Sequence, residues 1–91
     1  MVLTDKFQKT HIHTLVLERI FEMGILSERM SVAERDDNCH AFTKAFLEYV
    51  DIKRELRGAE INSDIIDAKF TMIEIFAEGY LGKNAIASYK F

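Results

Sequence analysis

The chain has 91 residues, of which 48% are apolar and 30% are charged, and its formal net charge is -3. This length predicts one domain, residues 1–91, and the apolar content excludes a disordered chain. The slight acidic excess argues against a general nucleic-acid-binding surface, which would need clustered basic residues.

The single cysteine, Cys39, excludes an internal disulfide and favours a reducing compartment. No apolar run approaches the roughly 20 residues of a membrane-spanning helix, and the segment from Met1 to Lys9 lacks the apolar core of a secretion signal. Proline is absent and glycine occurs only four times, which disfavours β structure. These features predict a cytoplasmic, soluble, helical protein.

The first predicted helix begins at Thr4 or Asp5, either of which can cap it, and ends near Met23, just before Gly24. At about 100° per residue its apolar side chains fall on one broad side. The central stripe holds Ile12, Val16, Ile20 and Met23, and Phe7, Leu17 and Phe21 lie beside it.

The second predicted helix begins at the sequence Ser31-Val32-Ala33-Glu34, which matches the S-x-x-E capping box. It runs to about Arg57, and the basic residues near that end favour the negative end of the helix dipole. Cys39 belongs to its apolar stripe and is expected to be buried. The other stripe residues are Phe42, Phe46, Tyr49 and Leu56, and the basic residues are Lys53, Arg54 and Arg57.

The third predicted helix begins near Asn62 or Ser63 and ends near Tyr80, close to Gly79 and Gly82. Its core stripe holds Ile66, Phe70, Ile73, Ala77 and Tyr80, widened by Ile65, Met72 and Phe76. The opposite side, with Asp67, Thr71, Glu74 and Glu78, is expected to face solvent. Residues 83–89 are expected to add a last helical turn or two.

These elements predict an all-α fold: a small bundle of three main helices plus a short C-terminal helix. Its core is expected where the second and third helices pack, around Phe42, Phe46, Tyr49, Phe70, Ile73 and Ala77. Each main helix has an apolar arc of roughly 180°, wider than the 100° or so that a surface helix needs.

The surplus apolar surface predicts a homodimer, with Leu17, Phe21 and Leu47 as interface candidates. Leu47 is the most telling of these residues, because it lies outside the main stripe of its helix. The alternative cover for part of the surplus is the end of the chain, with Ile86, Tyr89 and Phe91.

Four residues separate Arg35 from His40. This spacing resembles the arginine–histidine motif of the helical HEPN-type ribonucleases over these six positions. The resemblance implies metal-independent RNA cleavage by Arg35 and His40 of two subunits that meet at a dimer interface. The same residues also fit the polar first stretch of a capped helix.

No zinc site is expected, because His11 and His13 point about 200° apart on a helix, and the adjacent Cys39 and His40 also diverge. No cofactor motif is present. The sequence therefore predicts a non-enzymatic helical interaction or regulatory protein that binds another protein, as an adaptor or inhibitor. The alternatives are the HEPN-like ribonuclease and a structural subunit of a larger assembly.

Overall fold

The computed structural model describes residues 2–89, and the side chains of residues 14–89. This part of the chain is all-α and holds four helices: α1 (Val2–Arg35), α2 (Cys39–Gly58), α3 (Asp64–Leu81) and α4 (Lys83–Ala87). The predicted class, with three main helices and a short C-terminal one, is confirmed. The expectations for the side chains of Phe7, His11, Ile12, His13 and Phe91 lie outside the described part.

The three main helices alternate in direction. The turn at residues 36–38 makes α1 and α2 antiparallel, and Arg19 of α1 accordingly meets Glu55 in the last turns of α2. α3 is antiparallel to α2, because Arg57 contacts Asp67 at one end while Phe42 stacks on Tyr80 at the other. α1 and α3 therefore run in the same direction.

α1 is much longer than its neighbours. Its 34 residues correspond to about 51 Å at 1.5 Å per residue, against about 30 Å for the 20 residues of α2. Since the two helices meet at the turn, the first part of α1 extends past the end of α2. The longest dimension of the molecule, 53 Å, is close to the length of α1 alone.

The predicted break between the first and second helices is wrong. α1 continues through Gly24, and Ser31 to Glu34 lies inside it instead of capping a new helix. A glycine inside a helix costs only about 1 kcal/mol relative to alanine. The burial of Met23, Leu26 and Met30 against α2 and α3 outweighs that cost.

α1 and α2 both end in a hydrogen-bonding pattern known as the Schellman motif. After α1 the N–H of Asn38 donates to the carbonyl of Ala33, and Asp37 has a φ of 51°. After α2 the N–H of Ile61 donates to the carbonyl of Leu56, and Glu60 has a φ of 58°. This left-handed position usually holds glycine, so the end of α1 at Asp37 is hard to recognise from the sequence.

The core follows the prediction closely. Phe42, Phe46, Tyr49, Phe70, Ile73 and Ala77 are all buried. Met23, Leu26 and Met30 add the contribution of α1. Cys39 is the exception, because it is exposed and not buried as expected. It is the first residue of α2, where the chain has only just left the turn.

The ends of α3 are as predicted. Ser63 occupies the N-cap position, although its side chain makes no capping hydrogen bond, and Gly82 ends the helix with a φ of 94°. Gly79, in contrast, lies inside α3. α4 buries Ile86, and the ring of Tyr89 packs on Phe46 at 5.3 Å, so the last described residues cover part of the core.

Candidate interaction surface

The arginine–histidine motif lies at the corner between α1 and α2. Arg35 is the last residue of α1, His40 is the second residue of α2, and both side chains are exposed. Among the side chains described, no hydrogen bond or ion pair joins the two. A ribonuclease centre would have to be assembled with a second copy, so this hypothesis stays a prediction.

The three predicted interface residues are all exposed, but they do not form one group. Leu17 and Phe21 lie one turn apart on α1, with 54% and 71% of their surface accessible. Leu47 projects from the outward side of α2, where its neighbours one turn away, Thr43 and Asp51, are polar. The structure therefore brings Leu17 and Phe21 together and leaves Leu47 apart from them.

α1 has apolar side chains on two opposite sides. Steps of three or four residues carry one set into the core: Met23, Leu26, Met30 and Ala33 are all buried. A second set, which we call the α1 strip, is exposed on the other side: Leu17, Phe21, Ile25 and Val32. The broad apolar arc seen in the sequence is thus two faces, and within the part of the chain that the structure describes only one of them is covered.

α3 carries a second outward apolar surface that the sequence analysis missed. Its residues, which we call the α3 stripe, recur at alternating steps of three and four and are all exposed: Ile65, Ala68, Met72, Ile75 and Gly79. Ile65, Met72 and Ile75 have 66%, 70% and 62% of their surface accessible. Ile65 and Met72 were expected to widen the core stripe, and this expectation is wrong.

Part of the α1 strip lies at the same end of the bundle as the start of the α3 stripe, whereas its members Ile25 and Val32 line grooves between α1 and α2. Arg19 of α1 contacts the end of α2, and Asp67 of α3 contacts the same end, so Leu17, Phe21 and Ile65 lie at one end of the bundle. A groove of about 390 Å³ separates the two helices. Its lining mixes small, charged and apolar side chains: Met23, Gly24, Ser27, Glu28, Ser31, Lys69, Met72, Ile73 and Phe76.

The interface between α2 and α3 contains a polar cluster. The buried Tyr49 hydroxyl donates to the carboxylate of Glu74, and Lys53 Nζ donates to the same oxygen at 2.7 Å. Lys53 Nζ also lies 5.2 Å from the centroid of the Phe70 ring. Burial and the hydrogen bond to Glu74 raise the pKa of Tyr49 far above its usual value.

The same interface has a second ion pair nearer its end. Arg57 contacts Asp67 at 3.2 Å, and its Cζ lies 5.3 Å from the Phe70 ring. Asp67 and Glu74 were expected to face solvent: the Asp67 side chain is still 48% accessible, whereas Glu74, at 24%, is turned toward α2 and departs from the expectation. Because both acidic residues lie beside basic groups of α2, they offer little free charge to a ligand, and the half-buried Glu74 makes the closer contact between the two helices.

Two further contacts shift the pKa of groups at the surface. A hydrogen bond from Arg19, at 2.8 Å, lowers the pKa of Glu55 and ties α1 to the end of α2. The Tyr80 hydroxyl donates to Asp37 at 2.8 Å, and that bond is the largest cause that raises the pKa of Tyr80 to about 12. Both contacts fix helix ends in place.

Within the described part, no three His, Cys, Asp or Glu side chains come together as a metal site would require. None of the helices described there has the length and apolar run needed to cross a bilayer. No family model matches the chain, and searches of the curated proteins and of the solved structures find no match either. The outward surface of α1 and α3 is therefore the best candidate site that the geometry offers.

Proposed function

We propose that the chain is a non-enzymatic protein-interaction domain that binds another protein, as an adaptor or inhibitor does, and that it forms a homodimer. The surface is the outward side of α1 and α3, formed by Leu17 and Phe21 of the α1 strip together with the α3 stripe. The observation that carries the proposal is the amount of apolar surface exposed there by one copy.

That amount is large for so small a domain. A large side chain has roughly 200 Å² of surface when fully exposed. The exposed fractions of five residues then correspond to about 650 Å²: Leu17, Phe21, Ile65, Met72 and Ile75. The largest apolar patch of a typical monomer is about 300–600 Å². A surface of this size favours a protein partner.

The residue types on this surface favour protein over nucleic acid. Phenylalanine and methionine are enriched at protein–protein interfaces, whereas charged residues are depleted at their centres. Nucleic-acid binding depends on lysine and arginine that neutralise phosphates. The α3 stripe has no charged member, and the net charge of the chain is negative.

Light scattering at micromolar concentration tests the proposal. The parent chain should give the mass of a dimer, and Phe21→Glu should lower the dimer fraction, because it places a charge in the apolar surface. Phe21 is mostly exposed in one copy, so this variant should keep the helical circular dichroism of the parent.

Leu47→Glu is the matched control, since Leu47 is exposed on α2 away from this surface. Leu47→Glu should leave the dimer intact. Loss of the dimer in this variant would place α2 in the interface, as the sequence predicts. A parent chain with a clean monomer mass would rule out the dimer. Affinity capture with the parent and Phe21→Glu as baits would then show whether a foreign protein needs the same surface.

A further inference from the structure

The α3 stripe has the spacing of a coiled-coil seam. Residues at alternating steps of three and four form the line along which one helix packs against another. From Ile65 to Gly79 the seam is about 21 Å long. The buried side of α3, with Ile66, Phe70 and Ala77, is used within the chain. α3 can therefore take a second helix without giving up its first contacts.

The area of the stripe suits a dimer. Ile65, Met72 and Ile75 expose about 400 Å² at roughly 200 Å² for each fully exposed side chain. A standard interface buries about 800 Å² per partner, of which roughly 500 Å² is apolar. The stripe supplies most of that area, and the neighbouring Leu17 and Phe21 of α1 can supply the rest.

The two edges of the stripe differ in charge. Asp64, Thr71 and Glu78 follow one edge, which we call the acidic edge, and Lys69 with Phe76 follows the other, which we call the lysine edge. Among the described side chains, neither Asp64 nor Lys69 takes part in an ion pair. Asp64 is exposed, and Lys69 is half-buried at the rim of the groove beside α1, so neither charge is neutralised by a described side chain.

Edge charges decide the direction in which two such helices pair. Parallel helices bring the acidic edge of each against the lysine edge of the other, so Asp64 lies beside the partner's Lys69 in two symmetric contacts. Antiparallel helices bring like edges together, so Asp64 faces the partner's Glu78 and Lys69 faces the partner's Lys69. Only the parallel arrangement matches opposite charges.

We propose that a second copy of the chain covers the α3 stripe, with the two α3 helices parallel and Asp64 of each copy paired with Lys69 of the other. The second copy is the favoured occupant because α3 itself provides both the apolar seam and the complementary charges. This pairing rests on the self-association proposed above. It specifies in addition that α3 forms the interface and that the two α3 helices are parallel.

Charge reversal tests the direction by sedimentation equilibrium at low salt. Asp64→Lys and Lys69→Glu should each weaken the homodimer about tenfold, because each replaces two attractive contacts by repulsive ones. An equimolar mixture of the two variants should recover dimers of near-parental affinity, since both contacts are attractive in the mixed dimer. The mixture is its own folding control, because misfolded chains would not recover.

An antiparallel pair gives the opposite result for one variant. Asp64→Lys would then face the partner's Glu78, and its homodimer would become tighter. That outcome, or an unchanged affinity in both variants, would overturn the parallel pairing.

Met72→Glu separates the two proposals, because it puts a charge at the centre of the stripe. If Met72→Glu stays dimeric while Phe21→Glu does not, the α3 pairing is wrong and the interaction surface on α1 stands. If the parent chain is monomeric at every concentration, self-association itself fails.

Discussion

At the scale of single residues, the Tyr49 hydroxyl is a polar group on a fully buried side chain of the core. It donates to Glu74, which also accepts from Lys53, so one carboxylate links the two donors from α2 to α3. Tyr49→Phe removes a hydrogen bond to a charged group and should lower the free energy of unfolding by about 1.5–3 kcal/mol. Urea denaturation followed by circular dichroism measures the loss.

Tyr80→Phe is the matched control, because it removes a hydrogen bond to a carboxylate that is exposed. Water can replace this partner, so the loss should be below about 1 kcal/mol. Equal losses in the two variants would show that burial adds nothing to the Tyr49 contact.

The alkaline pH range gives a second test of the same residue. The pKa of Tyr49 is raised in the folded chain, so its contribution to stability is complete below the unfolded pKa of about 10. That contribution is lost as pH rises above 10, because the unfolded chain ionises first. Tyr49→Phe should therefore lose less stability than the parent between pH 9 and 11, measured as the urea midpoint at each pH.

At the scale of helices, the sequence predicted some ends well and others poorly. The third helix was placed within two residues, because Ser63 and Gly82 are conventional signals at its two ends. The first two helices were divided wrongly, since the real stop uses Asp37 in a conformation that glycine normally adopts. The residues around Asp37 include no glycine that would mark such a stop in the sequence.

The candidate surface was likewise predicted only in part. Leu17 and Phe21 were correctly suspected, because the apolar arc of their helix was too wide for one core. The α3 stripe was missed because Ile65 and Met72 were assigned to the core stripe, although at about 100° per residue they lie more than 90° from its centre and Ile75 lies almost opposite it. Sequence spacing alone did not decide whether Ile65 and Met72 belong to the buried or the exposed side of α3. The position of α1 in the structure shows which side of α3 is covered.

The end of α2 offers a direct test of helix-stop chemistry. Glu60 has a φ of 58°, a region in which a non-glycine residue costs about 1–2 kcal/mol. Glu60→Gly should raise the free energy of unfolding by about 0.5–1 kcal/mol, because the extra entropy of unfolded glycine offsets part of the relief. Glu60→Ala keeps the Cβ and removes the charge. A gain in the alanine variant as large as in the glycine variant would assign the effect to charge.

At the scale of the whole molecule, association and stability should be linked. A chain of 91 residues buries a modest core, and a partner that binds only the folded state stabilises it by mass action. The melting temperature of the parent chain should therefore rise with protein concentration. Differential scanning calorimetry over a hundredfold range of protein concentration measures this rise. The melting temperature should increase as the fraction of dimer increases.

Ile75→Glu and Phe46→Ala should separate association from folding. Ile75 is largely exposed in one copy, so Ile75→Glu should melt at one temperature whatever the concentration, close to that of the dilute parent. Phe46 is buried, so Phe46→Ala should cost about 3–5 kcal/mol at every concentration and keep the concentration dependence if it still folds. The melting temperature of the parent chain could instead be independent of concentration in the range where light scattering shows dimers. That result would mean that the dimers dissociate before the chains unfold. The apolar surface of α1 and α3 would then contribute to recognition without supporting the fold.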